Sequence, residues 1–192
     1  MKEHGIIFNT EMVKAILDGR KTQTRRIVKN VMPDNGMWLK KPTKTRSGTT
    51  THVLDAPKHN LCPLGKVGDR LYVRETFKTG VCTESTIAYK ATHKPSDLEE
   101  GWYEEIKWTP SIHMPRRYSR ITLEITDVRV ERLKDAGDTE FKAEGYPLER
   151  ELTGGSMDPF CWFRNLWDSV SPTNFKYEDN PWVWVIEFRR ID

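Results

Sequence analysis

The segment PWVWVIEFRR, near the end of the chain, constrains the fold more than any other. From Trp182 to Ile186 every residue is apolar, so both faces of a strand formed here are hydrophobic. Such a strand needs a neighbour on each side and a covering layer on each face. We therefore predict that it lies at the centre of a sheet.

Two other segments alternate like strands, over 70–77 and 119–133. In the first, the alternation places Glu75 on the apolar face. A buried carboxylate is costly unless it is paired, so Glu75 either forms an internal salt bridge or lines a cavity. In the second, the apolar parity changes at Thr126–Asp127, which predicts a β-bulge or a tight bend.

A short amphipathic helix is predicted directly before a cluster of cations. Asn9 or Thr10 suits its N-terminus, after a first strand, and Gly19 suits the left-handed conformation at its C-terminus. The stretch RKTQTRR follows and is predicted to enter a strand. Strict alternation would place Lys21 and Thr24 on opposite faces, so they converge only if Lys21 still belongs to the helix end.

Two more helices are predicted in the C-terminal half. One is predicted to be capped by Asp138 or Thr139 and is stopped by Gly145 and Pro147. The other begins at Asp158 and carries an apolar stripe that is typical of core packing: Phe160, Phe163, Leu166, Trp167 and Val170. Because strands outnumber helices, we expect an α+β fold, with a mixed, mostly antiparallel sheet or small barrel and packed helices.

The chain of 192 residues, 36% of them apolar, is expected to form one domain. Two proline-rich stretches, 30–66 and 93–118, are predicted to be long irregular insertions, the first with a hairpin. No stretch has the roughly 18 apolar residues of a membrane span, and the N-terminus lacks a secretory signal, so the cytoplasm is expected. The three cysteines are odd in number and far apart, which predicts reduced thiols.

Positive charge is concentrated near the N-terminus. Residues 1–50 contain eleven Lys/Arg and four Asp/Glu, a balance of +7 within a chain of net charge +3. Such a region attracts a phosphate-bearing partner. A basic, solvated surface explains the composition equally well, and both interpretations stay open.

Several motifs together resemble a known family. They are GRKTQTRR, VGDRLYVRETF, YSRITLEITDVRVERL, AEGY and VWVIEFRR. The first contains a Gly-x-Lys-x-x-Thr/Glu-x-Arg signature, formed by Gly19, Lys21, Thr24 and Arg26. The chain resembles the ASCH family of the PUA-like superfamily of small β-barrels, including ASCH proteins of bacteriophages and prophages. The matching motifs cover less than half of the chain.

The resemblance implies a cleft that binds RNA, single-stranded DNA or a modified nucleoside, without a cofactor. Small bacterial members with this signature are amidohydrolases that deacetylate N4-acetylcytidine with a Lys, a Thr and a Glu, which fall here on Lys21, Thr24 and Glu144. The chemistry is reasonable because a threonine hydroxyl needs a base, and a lysine that is buried among arginines loses its proton more easily. The alternative is that these residues have structural roles only. Thr24 is then a residue that favours a strand, Lys21 a solvated cation at a helix cap, and Glu144 an ordinary acid near a helix end.

Seven further residues are candidates for contacts with the ligand: Arg20, Arg25, Arg26, Arg74, Glu75, His113 and Arg116. Glu75 is also a rival to Glu144 as the acid of the site. Trp102 or Trp108 is available for stacking on bases. His52, His59 and Cys62 lack a fourth partner at metal-ligand spacing, so we predict no metal site.

Overall fold

The computed structural model describes residues 1–31, 36–40, 50–81, 86–94, 97 and 105–191. Strands and helices alternate irregularly, and short 3₁₀ turns connect several of them. The elements are β1 (Glu3–Ile7), α1 (Thr10–Leu17), β2 (Gln23–Ile27), β3 (Trp38–Lys40), β4 (Thr50–His52), β5 (Arg70–Arg74), β6 (Phe77–Thr79), β7 (Ile87–Tyr89), β8 (Thr122–Arg132), α2 (Asp138–Ala143), α3 (Leu148–Thr153), α4 (Asp158–Val170) and β9 (Trp182–Arg190).

Five strands form the main sheet, in the order β1-β5-β8-β9-β2. The predicted central strand is confirmed, because β9 lies between β8 and β2 and is antiparallel to both. β1 and β5 run parallel, so the sheet is mixed. Alternate residues of β9 enter two different hydrophobic clusters, with Trp184 and Ile186 in the larger cluster and Val183 and Val185 in the one formed with α2 and α4. Burial on both faces explains why this strand has no polar residue from Trp182 to Ile186.

The predicted bulge in the long strand is also confirmed. The register of β8 against β9 shifts between Ile125 and Asp127. The α+β class is confirmed, whereas no ladder joins β1 to β2 over the described ranges, so the sheet is not a closed barrel there. Its two edges are bridged by a side chain instead, since Arg26 Nη2 donates to the carbonyl of Ile7 at 2.9 Å.

One predicted strand is broken in two. The alternation over 70–77 predicts a single strand, but β5 ends at Arg74 and Phe77 begins β6, which pairs with β7. At the break, the buried carboxylate of Glu75 accepts two hydrogen bonds from Arg120, at 2.9 and 3.0 Å. The backbone N–H of Glu75 faces the sulfur of Met114 at 3.4 Å. Of the two predicted alternatives, an internal salt bridge or a place in a cavity wall, the structure therefore has Glu75 in an internal salt bridge.

Three helix details differ from the prediction. The N-cap of α2 is Gly137, whose N–H donates to the Glu140 carboxylate at 3.1 Å, rather than Asp138 or Thr139. Helix α3 was not predicted, and Val170, which was assigned to the apolar stripe of α4, is 55% exposed because it lies in the last turn. Phe163 and Trp167 of that stripe are buried as expected.

The predicted insertions are described only in part. The first contains the β3–β4 hairpin. Part of the second lies outside the described residues, including Glu99, Glu100, Glu104 and the stacking candidate Trp102. Cys82, which precedes this insertion, also lies outside them. Trp108 is among the described residues and is half-buried. Its ring and that of His93 are arranged edge to face, with 5.5 Å between the ring centroids. Among the helices in the described parts of the chain, none combines the length and the apolar composition that crossing a membrane requires.

Asp69 fixes the start of the parallel pair β1–β5. Its carboxylate is 4% exposed and accepts the backbone N–H groups of Lys2, at 2.7 Å, and Lys66, at 3.2 Å. The hydrogen bond from Lys2, followed by that from Lys66, holds the pKa of Asp69 below its ordinary value of 3.8. A carboxyl whose pKa is lower in the folded than in the unfolded state stabilises the fold above the unfolded pKa, and this stabilisation is lost as the pH falls.

We expect Asp69→Asn to lower the melting temperature at pH 7 because the amide accepts these N–H bonds less strongly than a carboxylate. The difference from the unsubstituted protein should shrink as the pH falls below about 4. Thermal unfolding followed by circular dichroism between pH 2.5 and 7 measures both, and a difference that is independent of pH would contradict this assignment.

Candidate functional site

The site is built where the end of α1 meets the end of α2. Gly19 has a φ of 75°, as its predicted left-handed cap requires. The N–H groups of Arg20 and Lys21 both donate to the carbonyl of Ala15 at 2.9 Å, so the backbone of Lys21 is held by the end of α1, beyond its last helical residue Leu17. The convergence of the Lys21 and Thr24 side chains stays a prediction.

A buried ion-pair network connects the helix end to β2. Lys21 Nζ donates to Glu144 Oε2 at 2.7 Å and to the Glu144 carbonyl at 2.9 Å, and Arg25 Nη1 donates to Glu144 Oε1 at 3.1 Å. Lys21, Arg25 and Glu144 are only 2%, 4% and 5% exposed. One carboxylate thus holds two cations in the interior, with Glu131 approaching Arg25 Nη2 at 3.6 Å.

The pKa of the Lys21 amine is lower than that of an exposed lysine. Burial, which penalises a charged amine, lowers the pKa of Lys21 below its ordinary value of 10.5. The charge and the hydrogen bond of Glu144 oppose this change, and the positive charges of Arg26 and Arg25 add to it. Lys21 therefore releases its proton more readily than an exposed lysine, as a general base must.

Thr24 is buried within β2. It is 2% exposed, lies opposite Ile186 of β9 and shares a strand face with Arg26. The Arg26 guanidinium is 5.4 Å from the centre of the Phe8 ring, and Lys21 Nζ is 5.6 Å from the same point. The alternation of β2 directs Arg25 to the opposite face, where it lies 5.6 Å from the Phe163 ring.

A cavity of about 700 Å³ begins at Arg26 and extends beyond the end of β2. Most of its wall is apolar, and its polar residues Lys29, Asn30 and Asn60 are exposed, which places them at the mouth, while Arg26 is half-buried. Its described lining consists of Arg26, Ile27, Val28, Lys29, Asn30, Leu39, Asn60, Leu61, Pro63, Leu64 and Trp184. Arg26 therefore contacts both the cavity and the Phe8 ring beside Lys21.

Arg20 supports the site from outside. Its Nη1 donates to the carbonyls of Gly145 and Tyr146, at 2.9 and 3.3 Å, and its Nη2 pairs with Asp18 at 2.9 Å. These bonds hold the end of α1 against the turn after α2. Its predicted role in ligand contact stays a prediction, and its observed contacts are structural.

The remaining predicted binding residues have partners around β5. Arg74 donates to the carbonyls of Met114, at 3.0 Å, and Ile112. Arg116 pairs with Glu3 at 2.7 and 2.9 Å, and Glu75 pairs with Arg120. His113 is exposed in a 3₁₀ turn. Glu144, rather than Glu75, is thus the acid that contacts Lys21.

Two groups of residues were missed in the sequence analysis. The first is Gln23, which is 3% exposed and accepts a hydrogen bond from Arg129 at 3.2 Å. The alternation of β2 is the sequence signal that places Gln23 on the same strand face as Arg25. Arg129 also binds Asp127, Glu131 and Glu187, and these hydrogen bonds raise its pKa despite partial burial. The other group is the cavity wall at 60–64, in an insertion without periodicity.

The metal candidates are not assembled. His52 Nδ1 accepts the N–H of Leu54, and His59 is exposed. Burial raises the pKa of Cys62 to about 11, which disfavours the thiolate that binds metals. Over the parts of the chain that the structure describes, no three His, Cys, Asp or Glu side chains are arranged to hold a metal ion.

Comparisons with known proteins give structural neighbours only. No family model and no curated protein matches the chain. An ASCH domain from Lactobacillus crispatus is similar at 12% identity, with 98% of this chain and 79% of that chain covered and a TM-score of 0.40. A DUF984 protein from Enterococcus faecalis is similar at 10% identity, with coverage of 100% and 77% and a TM-score of 0.43. The first neighbour is of the family that the sequence motifs resemble.

The ion-pair network leads to a stability prediction. Glu144→Leu leaves Lys21 and Arg25 buried without their main acceptor and should lower the free energy of unfolding by about 3–5 kcal/mol. The double substitution Lys21→Met/Glu144→Leu removes one of these charges and should be more stable than Glu144→Leu alone. Urea unfolding of both variants and of Lys21→Met measures the coupling. Strictly additive effects would contradict a direct interaction.

Proposed function

We propose that the protein binds a nucleoside unit, either within RNA or single-stranded DNA or as a modified nucleoside, in the cavity between β2 and residues 60–64. The observation that carries the proposal is the cavity itself. Its volume of about 700 Å³ is within the range of small-molecule sites, as are its largely apolar wall and polar mouth.

The chemistry of the lining suits a nucleobase. The apolar side chains of Leu61, Leu64 and Trp184 provide a surface for a flat ring, and the carboxamides of Asn30 and Asn60 offer a donor and an acceptor each. An asparagine of this kind can pair with the hydrogen-bonding edge of a base. An unpaired base presents that edge, whereas a duplex conceals it.

The charge of the surrounding chain supports the same proposal. Arg26 and Lys29 lie at the cavity, within the N-terminal quarter that carries a balance of +7. Such a potential increases the rate at which a polyanion arrives and strengthens its binding at low salt.

Filling the cavity tests this function. Leu64→Trp places an indole in the space proposed for the base and should weaken binding at least tenfold. Leu54→Trp, the same change at a leucine that is 51% exposed, is the matched control and should bind normally. Isothermal titration calorimetry with N4-acetylcytidine, the four ribonucleosides and short single-stranded oligonucleotides gives the affinities.

The result that would refute the proposal is an absence of binding to every ligand of this panel at low salt. Equal binding by Leu64→Trp and the unsubstituted protein would place the ligand elsewhere. Circular dichroism of each variant verifies that it is folded.

A second candidate function is hydrolysis of an N4-acylated cytidine, which the contact of Lys21 with Glu144 favours. In this mechanism the neutral Lys21 amine takes the hydroxyl proton of Thr24, whose oxygen attacks the acyl carbon. When the C–N bond breaks, the Lys21 ammonium returns the proton to the departing N4 of cytosine. Water then hydrolyses the acyl-threonine ester, and Glu144 holds Lys21 in place throughout.

The nucleophile gives the clearest test. Thr24→Val preserves the shape of the buried side chain and should leave stability within about 1 kcal/mol, whereas it should lower the release of cytidine from N4-acetylcytidine by about a thousandfold or more. Thr22→Val, the same change at an exposed neighbour in the signature, should keep full activity. Chromatographic detection of cytidine measures the rate, and an active Thr24→Val protein would exclude this mechanism.

A further inference from the structure

The cavity mouth is positively charged and carries no compensating acid in its described lining. Arg26 and Lys29 are its only charged residues within that part of the chain. Arg26 donates through Nη2 to the neutral carbonyl of Ile7 and forms no salt bridge with a described residue, although the charge of Glu144 acts on it from a distance. Lys29 is exposed and forms no salt bridge with a residue that the structure describes.

Two asparagines of the cavity lining share a backbone conformation. Asn30 and Asn60 have φ angles of 62° and 53°, in the left-handed region that asparagine adopts more readily than other residues with a side chain. Both line the cavity, although they are thirty positions apart. Asn30 also follows Lys29 directly, so its conformation fixes the chain beside this cation.

We propose that the ligand of the cavity is a nucleotide rather than an uncharged nucleoside, with its phosphate bound by Lys29 and Arg26 while its base lies against the apolar wall. This inference rests on the proposed nucleoside function and specifies the class of ligand. Two cations without a carboxylate favour a phosphate dianion, and a ribose hydroxyl gains little from them. Placing the phosphate at the open mouth leaves part of it hydrated, so its desolvation costs less than in a closed site.

The first part of the test compares each nucleoside with its 5′- and 3′-monophosphates by calorimetry at low salt. We expect one monophosphate to bind at least tenfold more tightly than its nucleoside, and this gain to decrease in high salt because salt screens exposed charges. A dinucleoside monophosphate distinguishes a phosphodiester within a chain from a terminal phosphate.

Variants assign the gain to the mouth of the cavity. Lys29→Gln should remove most of the advantage that the monophosphate has over its nucleoside, so that the ratio of the two affinities falls. Lys90→Gln, the same substitution at an exposed lysine after β7, should change neither. Lys29 is exposed, so loss of folding is not expected, and circular dichroism verifies this.

Each result decides between the proposals. Equal affinity for nucleoside and monophosphate overturns this inference and leaves the proposed function standing. A gain that persists in Lys29→Gln and also in Arg26→Gln overturns it too, as does binding of inorganic phosphate as tight as that of the monophosphate. An absence of binding to both nucleosides and nucleotides overturns the proposed function, and the inference with it.

Discussion

The carboxylate of Glu144, buried between Lys21 and Arg25, is the interaction on which the rest of the site depends. Each of its oxygens accepts one cation, at 2.7 and 3.1 Å. Burial of either cation alone would cost several kcal/mol, so the carboxylate has to be present for both to remain inside. It also joins three elements, since Lys21 follows the end of α1, Arg25 lies in β2 and Glu144 is the C-cap of α2. The edge strand β2 is therefore fixed at Arg25, one residue before Arg26, where the cavity begins.

The same contact limits what Lys21 can do chemically. An ammonium has three protons to donate, and Lys21 gives two of them to the carboxylate and the carbonyl of Glu144. One direction is left for another group. Burial favours release of the proton while Glu144 favours its retention. A ligand that brings further positive charge or excludes water near Lys21 shifts this balance towards the free amine, which is the form that activates a hydroxyl.

Local patterns predicted the parts of the fold that depend on neighbouring residues. The apolar run of β9, the parity change in β8 and the cap at Gly19 each follow from the backbone geometry of a few positions. The end of β5 does not follow from such local geometry. At that point the Glu75 carboxylate binds Arg120, which is 45 positions away in the sequence. The cavity was missed for the same reason: residues 26–30 and 60–64 form one wall only after the chain has folded. Pairing of Lys21 with Glu144 was expected only through the family resemblance, since no periodicity relates positions 123 residues apart.

The cations of DGRKTQTRRIVK have different environments, although in the sequence they form one cluster. Arg20 binds carbonyls and Asp18, and Lys21 and Arg25 share Glu144 in the interior. Arg26 and Lys29 line the cavity, and neither forms a salt bridge with a residue that the structure describes. Binding of a nucleic acid releases counterions in proportion to the phosphates that are neutralised by available cations, and a cation already paired inside the protein contributes little. The electrostatic part of ligand binding at this cavity is therefore set by about two charges, whatever the total charge of the N-terminal quarter.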